Sequence, residues 1–188
     1  LSGDAAAAAD LVQSLQTQDV FARRLAVDVA AHSAQLDDLL PALQAELAGL
    51  RPQTSALPFY STVTGQLTDG AELDAAYWAR NLRAPVHLWR ALQALVADGH
   101  TLFVELSPHP THLSALADGL HALGVAGQVL PTLYRDRPAR QTLLTTLGAL
   151  HCAGAPLIWQ SSAPQRRHAA ALPTYPFQNE RHWLTASP

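Results

Sequence analysis

Arg24-Leu25-Ala26-Val27-Asp28-Val29-Ala30-Ala31-His32-Ser33 is the stretch around which the rest of the chain can be arranged. A strand-like run, part of a strand expected over Phe21 to Val29, gives way at His32-Ser33 to a strongly periodic helical pattern. A histidine at a strand-to-helix corner is held by backbone on both sides. Its ring then has little conformational freedom, which is what a general base needs. Spacing alone favours a plainer reading, in which His32 only precedes a helix capped by Ser33, because a lone histidine is poor evidence of catalysis.

C-terminal to that corner, Leu36, Leu39, Leu40, Leu43, Leu47 and Leu50 fall at helical spacing and end near Gly49, and the stripe is expected to be core. N-terminal to it, Asp4 is a suitable cap for a helix running to about Gln18, with Leu11, Val12 and Leu15 as a short apolar face. Helix then strand is half of a split βαβ unit, whose other half would lie before Leu1.

Further along, Pro58 to Thr64 is β-branched and aromatic, bounded by Gly65, and predicts a strand. Glu72 to Leu82 predicts a helix, and Val86 to Asp98 another, with Pro85 at a first-turn position and Gly99 as its stop. Thr101 to Leu106 fits a strand buried on both faces. Leu113, Leu116, Leu120 and Leu123 mark a helix, and Gln128 to Leu133 a last strand. Strands separated by helices imply an α/β fold with a mostly parallel sheet.

From Tyr134 the character changes. Arg135-Asp136-Arg137-Pro138 breaks the pattern, and Leu143, Leu144, Leu147 and Leu150 give one amphipathic helix. Ala155 to Pro188 is rich in proline and polar residues, with Trp159, Tyr175, Phe177 and Trp183 as aromatic anchors. Such a tail builds no core of its own and is expected to lie extended along another surface.

The chain has 188 residues and a net charge of -3, enough length and apolar content for a core. No basic run gives an electrostatic footprint for nucleic acid or an anionic membrane. All 12 basic residues are arginine, and Cys152 stands alone, so neither a disulfide framework nor a zinc ribbon can be built and a reducing cytoplasm fits. No signal segment or bilayer-spanning apolar stretch is present. The sequence contains no methionine, which suggests a piece of a longer polypeptide.

His109-Pro110-Thr111-His112, with His100 nearby, invites a metal reading, but no acidic or cysteine partner stands at ligand spacing. His109 is read as loop structure near a cleft, and Glu105 as a satisfied structural carboxylate. No metal site is assigned.

Several blocks taken together carry a resemblance: Asp28 to Gln35; Leu57-Pro58-Phe59-Tyr60-Ser61-Thr62-Val63-Thr64-Gly65; Tyr77-Trp78-Ala79-Arg80-Asn81-Leu82-Arg83-Ala84-Pro85-Val86; Gly99-His100 with Phe103 to Pro110; Leu130-Pro131-Thr132-Leu133; and Leu172-Pro173-Thr174-Tyr175-Pro176-Phe177-Gln178. In order and approximate spacing they resemble the second half of the acyltransferase domain of modular type I polyketide synthases. The resemblance implies a partial α/β-hydrolase-like acyltransferase subdomain over 33–133, preceded at 1–32 by the C-terminal part of a ferredoxin-like small subdomain. It implies that 134–188 is the post-acyltransferase linker, extended over neighbouring domains.

It also implies a reaction. A serine takes a malonyl-type group from coenzyme A and passes it to the phosphopantetheine thiol of an acyl carrier protein, while an imidazole removes the serine proton. His32 matches that histidine, and Asn81 matches the residue whose main-chain carbonyl fixes its tautomer. No serine here has glycines at the spacing of the nucleophile elbow, so the nucleophile, the carboxylate-binding arginine and the oxyanion-hole donors are expected upstream and the fragment alone to be inactive. Val29, Ala30 and Ala31, which precede His32, match the positions that correlate with extender unit. Small Ala31 mildly favours a branched, methylmalonyl-like one, a methyl being worth about 1 to 3 kcal/mol in an apolar pocket.

The domain is expected to bind no cofactor of its own, with acyl-CoA as substrate. Its expected partners are the carrier protein and the neighbouring ketosynthase and linker domains, with dimerisation through other domains and no nucleic acid or membrane. Two other readings stay open: a non-catalytic docking or scaffold fragment, and a thioesterase-like hydrolase.

Overall fold

Asp4 begins the first element as its sequence suggests. In the computed structural model, which describes residues 1–159, 173–180 and 182–183, its carboxylate accepts from the N–H groups of Ala6 (2.9 Å) and Ala7 (3.0 Å), satisfying two otherwise orphaned donors of α1 (Ala5–Thr17). None of α1 is buried.

The strand expected over Phe21 to Val29 does not form. A strand needs a ladder partner, and among the described residues none pairs with this run. Its backbone turns on itself instead, Val27 N–H donating to the Leu25 carbonyl at 3.0 Å, and Phe21, Leu25, Val27 and Val29 are exposed.

The single helix expected from Ser33 to Gly49 is split. Ser33 Oγ accepts from Gln35 N–H at 3.3 Å and starts a 3-10 turn, Ala34–Leu39, before α2 (Leu40–Glu46) takes over. The cause is Pro41, which has no N–H for the carbonyl four residues back. Leu40 N–H bonds to Asp37 O in the tighter pattern instead. Of the leucine stripe only Leu36 is buried, while Leu39 and Leu50 are exposed, so it is not a continuous core face.

Strand β1 (Phe59–Ser61) is half of a hairpin with β2 (Gln66–Thr68), antiparallel in the register Phe59↔Thr68 to Ser61↔Gln66. The second strand was not anticipated. Gly65 makes the turn at φ +75° and donates to Ser61 O at 2.7 Å, a backbone conformation that costs glycine little.

After a 3-10 turn at Gly70–Glu72, α3 (Ala75–Arg83) starts at Asp74, whose carboxylate accepts from Tyr77 N–H at 2.8 Å. Next comes α4 (Leu88–Ala97). Pro85 precedes that helix rather than opening it, because His87 N–H is drawn to Thr62 O at 2.7 Å. The helix ends at Gly99 as expected, with Gly99 and His100 N–H bonding back to Val96 and Leu95.

The parallel part of the fold follows: β3 (Leu102–Glu105), α5 (Leu113–Ala122) and β4 (Gln128–Pro131), paired Leu102↔Gln128 through Glu105↔Pro131. Strand β3 is half-buried along its length, not covered on both faces. Among the described residues the sheets are one hairpin and one parallel pair, so the fold is a partial α/β one but less parallel than its sequence suggests.

Helix α6 (Ala139–Cys152) forms, yet its buried residues are Thr142 and Thr146, with Leu143 and Leu144 exposed. Thr146 Oγ1 donates to Pro131 O at 2.6 Å, tying α6 to β4. Leu172, which opens the last block of the resemblance, and Leu184 lie outside the described residues, while Tyr175, Phe177 and Trp183 are exposed.

The buried apolar side chains are Leu36 of the first 3-10 turn, Tyr77 and Ala79 of α3, Ala91 and Leu92 of α4 and Leu120 of α5, where that turn meets α3 and where α4 packs on the hairpin and on α5. Ser61 is fully buried there and shares a hydrogen bond with the Tyr77 hydroxyl at 2.7 Å, so a polar pair buried in this core is satisfied.

Candidate active site

His32 is held in a left-handed backbone conformation, φ +62°, which costs a non-glycine residue about 1 to 3 kcal/mol and persists only where the surroundings over-determine it. The surroundings are the end of α3. His32 N–H donates to Leu82 O at 3.0 Å, and its ring Nδ1 lies 2.7 Å from Ala84 O. A carbonyl oxygen only accepts, so Nδ1 carries the proton and Nε2 presents its lone pair. The half-buried ring is thereby fixed in tautomer and direction.

Asn81 is not the residue that does this. The carbonyl on the ring belongs to Ala84, three positions on. Leu82 and Ala84 lie at the helix end, where carbonyls have no partner in the next turn, and Ala84 is extended (ψ 158°), so its oxygen leaves the helix axis toward His32. Asn81 stands half-buried one turn back. The clue was present in the sequence: Pro85 ends the helix immediately after Ala84, which exposes these carbonyls.

Beside them, Arg83 Nε bonds to Asp37 Oδ1, joining the end of α3 to the 3-10 turn that follows His32. No pattern in the linear chain pointed to this pair. Ser33 Oγ donates to Ala30 O at 2.7 Å, and Ser2 Oγ donates to Ala31 O, which secures the backbone on the N-terminal side of His32. Val29 is exposed, and Ala30 and Ala31 are half-buried. A cavity of about 340 Å³ lies elsewhere, between β4 and α6, lined by Leu130, Tyr134, Arg137, Thr142 and Thr146 among others; Val29, Ala30 and Ala31 do not line it.

Glu105, at the end of β3, accepts from the N–H groups of Thr111 (2.8 Å) and His112 (3.0 Å), from Ser107 Oγ (3.2 Å) and from Thr111 Oγ1 (3.3 Å), with His112 Nδ1 at 3.4 Å. Burial by itself would raise its pKa. The bonds from Thr111, His112 and Ser107 outweigh that and hold the carboxyl at about 2 against its ordinary 4.5. Thr132 Oγ1 bonds to the carbonyls of Glu105 (2.9 Å) and Ser107 (3.1 Å), so the 105–112 loop is pinned at the carboxyl ends of both parallel strands.

The histidines of this region have separate partners. The His109 ring packs edge-on against Tyr134 at 6.0 Å, His112 faces Glu105, and His100 packs against Tyr60 at 5.9 Å.

The acyl transferase domain family matches residues 1–156 of this chain. Curated relatives include the spectinabilin polyketide synthase system protein NorA' of Streptomyces orinoci, 41% identical over 99% of this chain and 5% of that protein. Polyketide synthase GfsA of Streptomyces halstedii is 39% identical over 98% of this chain and 2% of its own length. Among solved structures, the acyltransferase domain from module 8 of the salinomycin polyketide synthase superposes with a TM-score of 0.82 at 36% identity, over 85% of this chain and 38% of that one. The chain therefore spans only a small part of the synthases it matches and well under half of that solved domain. On the family match, the relatives and the shared α/β fold, this chain belongs to the acyltransferase domains of modular polyketide synthases.

Proposed function

We propose that this chain is the C-terminal part of an acyltransferase that moves a malonyl-type unit from coenzyme A to the phosphopantetheine thiol of an acyl carrier protein, with His32 as general base. In this reading 1–32 completes a small ferredoxin-like subdomain, 33–133 the α/β subdomain, and 134–188 a linker along neighbouring domains of the same cytoplasmic polypeptide. The observation that carries it is the 2.7 Å contact of His32 Nδ1 with Ala84 O, which fixes the ring from one side and leaves Nε2 able to take a proton.

A serine outside the chain supplies the nucleophile. As its Oγ attacks the thioester carbonyl, its proton passes to Nε2. The carbon–sulfur bond breaks, and the departing coenzyme A thiolate takes the proton back. The phosphopantetheine thiol then gives its proton to the same nitrogen, attacks the seryl ester, and releases the serine oxygen to be reprotonated. Small Ala31 beside His32 mildly favours a branched, methylmalonyl-like unit.

In the complete parent polypeptide, His32→Ala lowers the rate of acyl transfer about 100- to 10,000-fold, with carrier-protein binding retained. An unchanged rate with binding intact supports a docking role instead. Release of the acyl group to water in place of transfer supports a hydrolase.

A further inference from the structure

We propose that Asp37 and Arg83 are a positioning pair: by tying the 3-10 turn after His32 to the last turn of α3, they hold the two carbonyls that fix the catalytic imidazole. This rests on the reading of His32 as general base.

The placement carries the inference. Both acceptors of His32, Leu82 O for its backbone and Ala84 O for its ring, flank Arg83 in the chain. Arg83 bonds to Asp37, in the 3-10 turn Ala34–Leu39 that begins two residues after His32. Ring, turn, ion pair and helix end thus form a closed loop.

The helix end is where a brace has an effect. The front of α3 is secured by the Asp74 cap and by buried Tyr77 and Ala79, whereas Asn81 to Ala84 are only half-buried. Pro85 has no N–H for the Asn81 carbonyl, so the last turn lacks a helical bond that most residues at that position would supply. Helix ends fray, and a left-handed His32 depends on this one for both its backbone and its ring. Asp37, on the other side, is anchored through its buried neighbour Leu36. With both side chains more than a third exposed (36% for Arg83, 55% for Asp37), the pair adds little to global stability. Its contribution is local geometry.

The test uses the complete acyltransferase, with Asp37→Asn, Arg83→Gln, the double variant and Arg83→Lys, and His32→Ala alongside. The expected result for each single neutral variant is a fall in kcat of about tenfold with KM within about twofold and unchanged circular dichroism. The double variant should lose no more than either single one, because both break the same contact, and Arg83→Lys should restore most of the rate. Losses that multiply in the double variant overturn the pair, as does a change in KM alone, or full activity in the single variants while His32→Ala is inactive. Full transfer by His32→Ala overturns the underlying reading of His32, and the pair with it.

Discussion

Nδ1 of His32 and the carbonyl oxygen of Ala84 lie 2.7 Å apart although 52 positions separate them in the chain. The same helix end takes the His32 backbone through Leu82. Ring and backbone thus hang from one support, and the left-handed φ of +62° is the conformational cost of reaching it.

That cost is measurable. His32→Gly and His32→Ala both remove the ring, but only glycine adopts this φ without a clash between Cβ and the backbone. His32→Gly should therefore be more stable than His32→Ala by about 0.5 to 1 kcal/mol, read from urea midpoints of the complete acyltransferase. An alanine variant as stable as the glycine one would show that the corner relaxes out of the left-handed region.

Glu105 ties pH to stability. Its carboxyl, held at about 2 when folded against an ordinary 4.5, binds fewer protons folded than unfolded between those values. Stability from this group is therefore full above pH about 4.5 and is lost as pH falls toward 2. Glu105→Gln should flatten that part of the urea-midpoint profile. At neutral pH it should cost about 1 to 3 kcal/mol, because the bonds from Thr111, His112 and Ser107 lose their charged acceptor. A profile between pH 5 and 2.5 that is the same in both proteins would contradict the assignment.

Gly127 sets the approach of β4 to β3. A Cβ there would lie 2.5 Å from the Thr101 carbonyl oxygen, and that oxygen accepts Gln128 N–H at 2.8 Å. Backbone cannot yield as a side-chain tip can. Gly127→Ala should destabilise by about 1 to 3 kcal/mol and speed amide exchange at Gln128, whereas unchanged exchange at Gln128 would show that the added Cβ is accommodated without loosening that bond.

The order and kind of most elements were legible because their signals are local. Asp4 before a run of alanines, Gly99 after a periodic stretch and the short apolar run Thr101 to Leu106 each act within a few residues, and α1, α4 and β3 formed close to where they point. Pro41 lies inside the leucine stripe and splits the helix that the leucine spacing alone predicts as whole. The turn at Gly65 was visible too, yet a strand as short as Gln66–Thr68 has no periodicity to find.

His32 was singled out by the ordered blocks around it, while the strand expected before it does not form and the helix expected after it is split. By itself the sequence determined the α/β character and the family, since each is set by residue types at near or fixed spacing. Only the tertiary structure decided which carbonyl meets the ring, that Arg83 reaches Asp37, that Phe21 to Val29 finds no ladder partner among the described residues, and that Thr146 ties α6 to β4. Those outcomes depend on where a helix ends in space and on which strands are at hand to pair, and neither is encoded in the spacing of one segment.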